Sequence, residues 1–152
     1  MAIKIYTYSG IRSTRKTSGR IGYVAEPDGV GRTLERYNVN NNQSEMLALY
    51  LALQEAEMKG GSGEIDIYTD NAYVYRALVS TIPEVARKGW YNSRGEPIKY
   101  ADAWKAIWNH LKGNEYTMHL REDHEYKTWL IENTKSQTGA VRSGNRTTKA
   151  KN

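Results

Sequence analysis

The chain has no cysteine among its 152 residues, which excludes disulfides and any thiolate chemistry. It also lacks an apolar run near the ~18–20 residues that a membrane-spanning helix needs. Its N-terminus carries no signal-peptide pattern. These absences fit a reducing compartment, and the expectation is an intracellular, cytoplasmic protein that does not engage a membrane. A third absence is local: from residue 134 onward ("TKSQTGAVRSGNRTTKAKN") there are five Lys/Arg and no acid. Residues 1–133 therefore balance at 17 basic against 17 acidic, and the net charge of +5 belongs to the end of the chain.

What is present suits a single globular domain. Hydrophobic content is 39% and charged content 26%, and a chain of this length buries roughly 68–70% of its unfolded surface. The segment 134–152 has too few apolar residues to offset its ordering entropy and is expected to be a flexible basic tail. Such a tail is either solubilising or a weak, sequence-blind attachment to phosphate backbones. The remaining residues 1–133 form the domain, which is expected to be a monomer. A second basic cluster, "RSTRKTSGR", holds Arg12, Arg15, Lys16 and Arg20 in what reads as a loop or loose hairpin turn.

Hydrophobic periodicity orders the chain as βββαβααβα. Strands are predicted over residues 2–8, 20–26 and 31–38, with "PDG" as the turn between the last two. A helix follows in "NNNQSEMLALYLALQEAEMK", where Met46, Leu49, Tyr50, Leu53 and Ala56 share a face. "EIDIYTD" is the fourth strand, and a strand–helix–strand crossover of this length implies parallel pairing. Helices are predicted in "NAYVYRALVS" and "YADAWKAIWNHLKG", the latter with Trp104, Ile107, Trp108 and Leu111 as its core stripe. "TIPEVARKGWYNSRGEPIK", between them, reads as a basic segment broken by glycine and proline. "EYTMHLR" is the last strand and "HEYKTWLIEN" the last helix. The fold class is α/β, a mixed five-stranded sheet flanked by helices. No histidine spacing suggests a zinc site, and His110 and His119 read as structural or surface residues.

Two carboxylates stand out. Glu45 falls in the first turn of the long helix, and taken alone it is a capping glutamate. Asp70 falls where a strand gives way to a helix, and taken alone it is an N-cap. Strand ends at the carboxyl edge of a sheet are also where α/β sites gather. The two "IY" stretches, Ile5-Tyr6-Thr7-Tyr8 and Ile67-Tyr68-Thr69-Asp70, are alike except that the first ends in a phenol.

Taken together, "NNNQSEMLALYLALQEA", "IDIYTDNAYVYRAL" and "RKGWYNSRGEPIKYADAWKAIW" resemble the ribonuclease H family, type 1, over residues 3–133. The family cuts the RNA strand of RNA–DNA hybrids. The resemblance implies a two-Mg²⁺ (or Mn²⁺) site, with metals about 3.5–4 Å apart, held by four acids. Glu45 and Asp70 match two of them. The first-strand acid that bridges both metals would stand at Tyr8. A neutral phenol offers one weak ligand oxygen and no charge against two dications. The last-helix acid has no Asp to match it, and Glu132 is the nearest candidate. Asp123 and His124 fall where the family carries a loop histidine. Nucleic-acid contacts are expected from Asn41 and Asn42, from Arg87, Lys88, Trp90, Arg94 and Lys99 of the basic segment, and from Arg12, Arg15 and Lys16. For Trp90 a role as the segment's core anchor stays open, and for Asn41 and Asn42 so does capping.

The expectation is a ribonuclease H-like protein that binds RNA–DNA hybrid or duplex RNA, with an incomplete metal site (Glu45, Asp70), weakly bound Mg²⁺ or Mn²⁺, and weak or absent hydrolysis. The alternatives are an active metal-dependent nuclease with a rearranged acidic site that uses Asp123 or Glu132, and a protein-interaction module on the same fold.

Overall fold

The computed structural model describes residues 2–61, 63–135 and the backbone of 146–149. Its elements are β1 (Ile3–Ser9), β2 (Thr17–Glu26), β3 (Val30–Val39), α1 (Asn41–Met58), β4 (Ile65–Thr69), α2 (Ala72–Arg76), α3 (Ile82–Arg87), α4 (Ala101–Leu111), β5 (Tyr116–Leu120), α5 (Lys127–Thr134) and β6 (Arg146–Lys149). The sheet runs β5-β4-β1-β2-β3-β6. β1, β2 and β3 form the expected antiparallel meander, whereas β4 lies parallel to β1 and β5 parallel to β4. The five expected strands are all present.

Two differences from the sequence reading concern extent. A sixth strand, β6, falls inside the segment assigned to a flexible tail and pairs antiparallel with β3, Val30 opposite Lys149. The other positions of that segment beyond residue 135 lie outside the described residues. The second difference is helical. Between α2 and α3 the chain stays helical through a π-turn over Ala77–Thr81, so the basic segment opens as a helix. Pro83 lies just past the π-turn, where the helical hydrogen bonds already depart from the regular α pattern. Among the described residues, no helix is long and apolar enough to cross a membrane.

The main core fills one face of the sheet. Ile3, Ile5, Ile21, Ile65 and Ile67 meet Met46, Leu49 and Leu53 of α1 and Trp104, Ile107 and Leu111 of α4. α1 also buries Ala48, Ala52 and Ala56, so it is enclosed on more sides than the predicted stripe. Small side chains let it sit close to its neighbours on each side. Tyr50 is only half-buried, and its ring meets His110 edge-on. Trp108 is likewise partly covered, edge-on to Tyr116.

The opposite face carries a smaller cluster of Tyr6, Val24, Tyr126 and Leu130, over which α5 lies. α5 fits there because the strands beneath it present glycines. A Cβ on Gly31 would stand 2.4 Å from the Trp129 ring, and one on Gly22 would stand 3.0 Å from the Thr134 methyl. At Gly10 the obstacle is backbone: a Cβ would lie 2.1 Å from the Thr134 carbonyl oxygen and 3.0 Å from that of Arg20. A carbonyl cannot rotate away as a side-chain tip can. Gly10→Ala is therefore expected to destabilise the fold by about 1–3 kcal/mol, the usual cost of overpacking. Urea unfolding checks this as a lower midpoint at unchanged slope, and an unchanged midpoint would place α5 elsewhere.

Candidate functional site at the ends of the parallel strands

The β1–β4 ladder pairs Ile5 with Ile67 and Tyr6 with Tyr68. The two "IY" stretches thus lie side by side and in register. Because side chains alternate with period two, Tyr8 and Asp70 fall on the same face as the Tyr6–Tyr68 pair. A cleft opens at this point, lined by Thr7, Tyr8, Tyr68, Thr69, Asp70, Glu122, His124, Lys127 and Leu130. It lies at the carboxyl ends of parallel strands, where sites in such sheets belong.

An aromatic row supports the cleft floor. Tyr6 and Tyr68 stack at 4.8 Å, and Tyr68 stacks on His119 of β5 at 4.2 Å. His119 is further tied to Asp66 at 2.8 Å and to Glu122 at 3.1 Å. Its desolvation lowers the imidazole pKa, but the bonds to the two carboxylates outweigh that and leave it raised. His119 is therefore structural, as expected, and it holds Glu122 at the cleft rim.

His124 lines the cleft, as its loop position implied. Its ring packs 4.7 Å from Tyr6, and its Nδ1 accepts the Tyr126 backbone N–H at 3.2 Å. Burial, assisted by the nearby Lys127 ammonium, pushes its pKa down to about 4. At neutral pH it is an uncharged imidazole with its proton on Nε2, able to donate but not to add charge.

Glu45 differs from its sequence reading. Asn40 is the N-cap of α1 and accepts the Gln43 N–H, while Gln43 returns a bond to the Asn40 N–H as a capping box. Glu45 is thus past the first turn and caps nothing. It is 1% exposed beneath the end of β1, accepting Thr7 Oγ1–H at 3.1 Å, and its Oε2 has no partner. Burial pushes its pKa up to about 7, which outweighs the opposing bond from Thr7 and the charge of Arg12.

Asp70 does not cap α2 either. That role falls to Asn71, whose side chain accepts the Val74 N–H at 2.9 Å. The Asn71 amide also donates to Asn41 at 2.8 Å and Asn42 at 2.9 Å. Asn41 in turn donates to the Ile11 carbonyl at 2.6 Å. Neither Asn41 nor Asn42 is a cap; they join the start of α1 to Asn71 and to the β1–β2 loop. Asp70 remains partly exposed with Arg12 Nη2 at 3.7 Å. The Arg12 guanidinium lies over the Tyr8 ring, 5.1 Å from its centroid.

Other expected residues are dispersed. Glu132 is exposed on α5 and ion-paired with Lys135 at 2.6 Å, so it does not line the cleft. Asp123 is exposed, and its carboxylate accepts the adjacent His124 N–H. Arg20 is not part of a loop cluster: it lies in β2, 6% exposed, ion-paired with Glu35 at 2.6 Å. Arg15 and Lys16 are exposed in the β1–β2 loop. Arg87 and Lys88 both reach Glu84, while Arg94 and Lys99 are exposed without an ion pair among the described residues. Trp90 packs against the main core and so anchors the basic segment. The sequence reading missed Lys127 and Glu122 as cleft residues. Lys127 opens α5, and only the seating of that helix brings it to the strand ends.

The donor set does not fit a two-metal centre. Among the described residues, no three acid, histidine or cysteine side chains gather to hold an ion. Among the described residues Glu45 Oε2 has no hydrogen-bond partner, but Glu45 does not line the cleft; a phenol, Tyr8, stands where the resemblance implies a bridging acid, and the Arg12 cation faces Asp70.

The buried Glu45 yields a stability prediction. Its pKa is about 7 in the fold against 4.5 for the free side chain. As pH rises through this window, the unfolded chain releases its proton first, so stability falls, by an amount on the order of 3 kcal/mol. Glu45→Gln imitates the protonated form. It is expected to raise the melting temperature at pH 8 by roughly 5 °C or more, with the gain shrinking at pH 5. Thermal unfolding at both pH values checks this, and equal gains at the two would remove the titration.

Comparison with known proteins agrees with the geometry. The family model described as RNase H matches residues 1–141. The ribonuclease H of Legionella pneumophila (strain Corby) is 29% identical over 135 residues, covering 81% of this chain and 90% of that protein. Among solved structures, LC9-RNase H1, described as a type 1 RNase H with the type 2 active-site motif, aligns with TM-score 0.65 at 14% identity. That alignment covers 94% of this chain and 77% of LC9-RNase H1. LC11-RNase H1, solved in complex with RNA/DNA hybrid, aligns with TM-score 0.60 at 19% identity, over 87% of this chain and 95% of its own. With strand order, parallel register and family match in agreement, the chain belongs to the ribonuclease H family.

Proposed function

We propose that this chain binds RNA–DNA hybrid or duplex RNA through its strand-end cleft and basic segment, and that it hydrolyses the bound strand weakly or not at all. The observation that carries this reading is Tyr8, in register beside Asp70 and covered by Arg12. The position that would bridge two cations holds a phenol, and a resident cation lies over it. Divalent metal, the family's usual cofactor, would find Asp70 as its one accessible carboxylate of the pair, since Glu45 is buried and near neutrality. Binding is supported by the exposed Arg12, Arg15, Lys16, Arg94 and Lys99, whose charges can release counterions from a phosphate backbone.

A second reading, an active metal-dependent nuclease, is favoured by one observation: Glu122 stands at the cleft rim with Asp70 and would be the third carboxylate. This replaces Asp123 and Glu132, neither of which lines the cleft.

Cleavage of a labelled RNA–DNA hybrid in Mg²⁺ and in Mn²⁺, comparing wild type with Asp70→Asn, separates the two. The expected outcome is that wild type binds the hybrid while its cleavage equals that of the variant. A loss of cleavage of 100-fold or more on Asp70→Asn would establish the nuclease instead. Absence of hybrid binding would turn attention to the fold as a protein-interaction module.

A further inference from the structure

We infer that the cleft is a metal-independent seat for one backbone phosphate of the bound hybrid, in which Arg12 and Lys127 supply the positive charge that metal ions would otherwise bring. The inference rests on the hybrid-binding reading above and assigns that reading a site. Three observations converge on it.

The first is the state of Arg12. Its approach to Asp70, at 3.7 Å, is too long for a hydrogen bond, and its side chain is 53% exposed. An ion pair this exposed is weak, so a phosphate can displace it readily. Its other contact is a 3.3 Å bond to the Ser9 carbonyl. Over the Tyr8 ring, 5.1 Å from its centroid, the guanidinium meets a surface that does not compete for its N–H donors. A planar fork held this way suits bidentate contact with a phosphate.

The second is Lys127, which lines the cleft. It forms no ion pair among the described residues, and its charge acts on His124. The third is the neutral His124, whose Nε2–H is left to donate once Nδ1 has accepted from the Tyr126 amide. The Tyr8 hydroxyl is a further donor on the wall. Against these stand Asp70, already faced by Arg12, and Glu122, engaged by His119. The cleft wall thus carries Lys127, His124 and Tyr8, and the Arg12 guanidinium stands beside it, near Asp70 and Tyr8.

The mixture fits an anion and fits poorly with a dication, which Arg12 and Lys127 would repel.

The test is hybrid affinity by fluorescence anisotropy over a salt series, at matched ionic strength, in EDTA and in Mg²⁺. Wild type is compared with Arg12→Gln, Lys127→Gln and Arg94→Gln, all surface changes that leave the core intact. The wild-type affinity is expected to agree within about threefold between EDTA and Mg²⁺. Arg12→Gln and Lys127→Gln are each expected to weaken it about five- to tenfold and to lower the slope of log K against log[salt] by about 1. If affinity collapses in EDTA while Arg12→Gln has no effect, metal rather than arginine holds the phosphate and the inference is overturned. If Arg94→Gln weakens binding but Arg12→Gln and Lys127→Gln do not, the seat is wrong while hybrid binding stands. If wild type binds no hybrid at any salt concentration, the functional reading and the seat fall together.

Discussion

Ile5 opposite Ile67 and Tyr6 opposite Tyr68: this parallel register at the centre of the sheet is the constraint on which the rest of the molecule depends. It places the isoleucines towards α1 and the tyrosines towards α5, and so decides which face becomes the large core and which becomes the site. A slip of one residue would exchange the two faces, burying tyrosine hydroxyls and exposing isoleucines. The same register sets Tyr8 beside Asp70 and, through β4 and β5, carries the stack on to His119. The cleft is thus a consequence of strand pairing before any functional side chain is considered.

On the second face, α5 closes the site by lying on a surface from which side chains have been removed. Gly10, Gly22 and Gly31 give it room, Tyr126 and Leu130 fill the space beneath, and the helix start then delivers Lys127 and His124 to the strand ends. The chemistry follows from that geometry. Tyr8 and Asp70 come to the strand ends together, with the Arg12 guanidinium near both. Glu45 is buried against Thr7 of β1, and its burial raises its pKa to about 7.

Much of this was legible in the residues. The order of strands and helices, the parallel crossover into "IYTD", the core stripe of α4 and the likeness of Tyr8 to Asp70 in position all follow from periodicity and spacing, which are local properties. Boundaries were less legible. The π-turn keeps "TIPEVAR" helical where proline suggested a break, and β6 forms in a segment of strand-poor composition because β3 offers an unpaired edge.

The sequence by itself determined the α/β architecture, the family and the likeness of the stretches ending in Tyr8 and Asp70, because side-chain period and strand order are written residue by residue. Only the tertiary structure decided which charges meet. Glu132 and Asp123 lie as near to the site in sequence as Lys127 does, yet one pairs with Lys135, one accepts its neighbour's amide and neither lines the cleft. A helix turns its residues by about 100° each, so which of them faces the sheet depends on how the helix seats. The glycines that make room for that seating, Gly10, Gly22 and Gly31, lie near the opposite end of the chain.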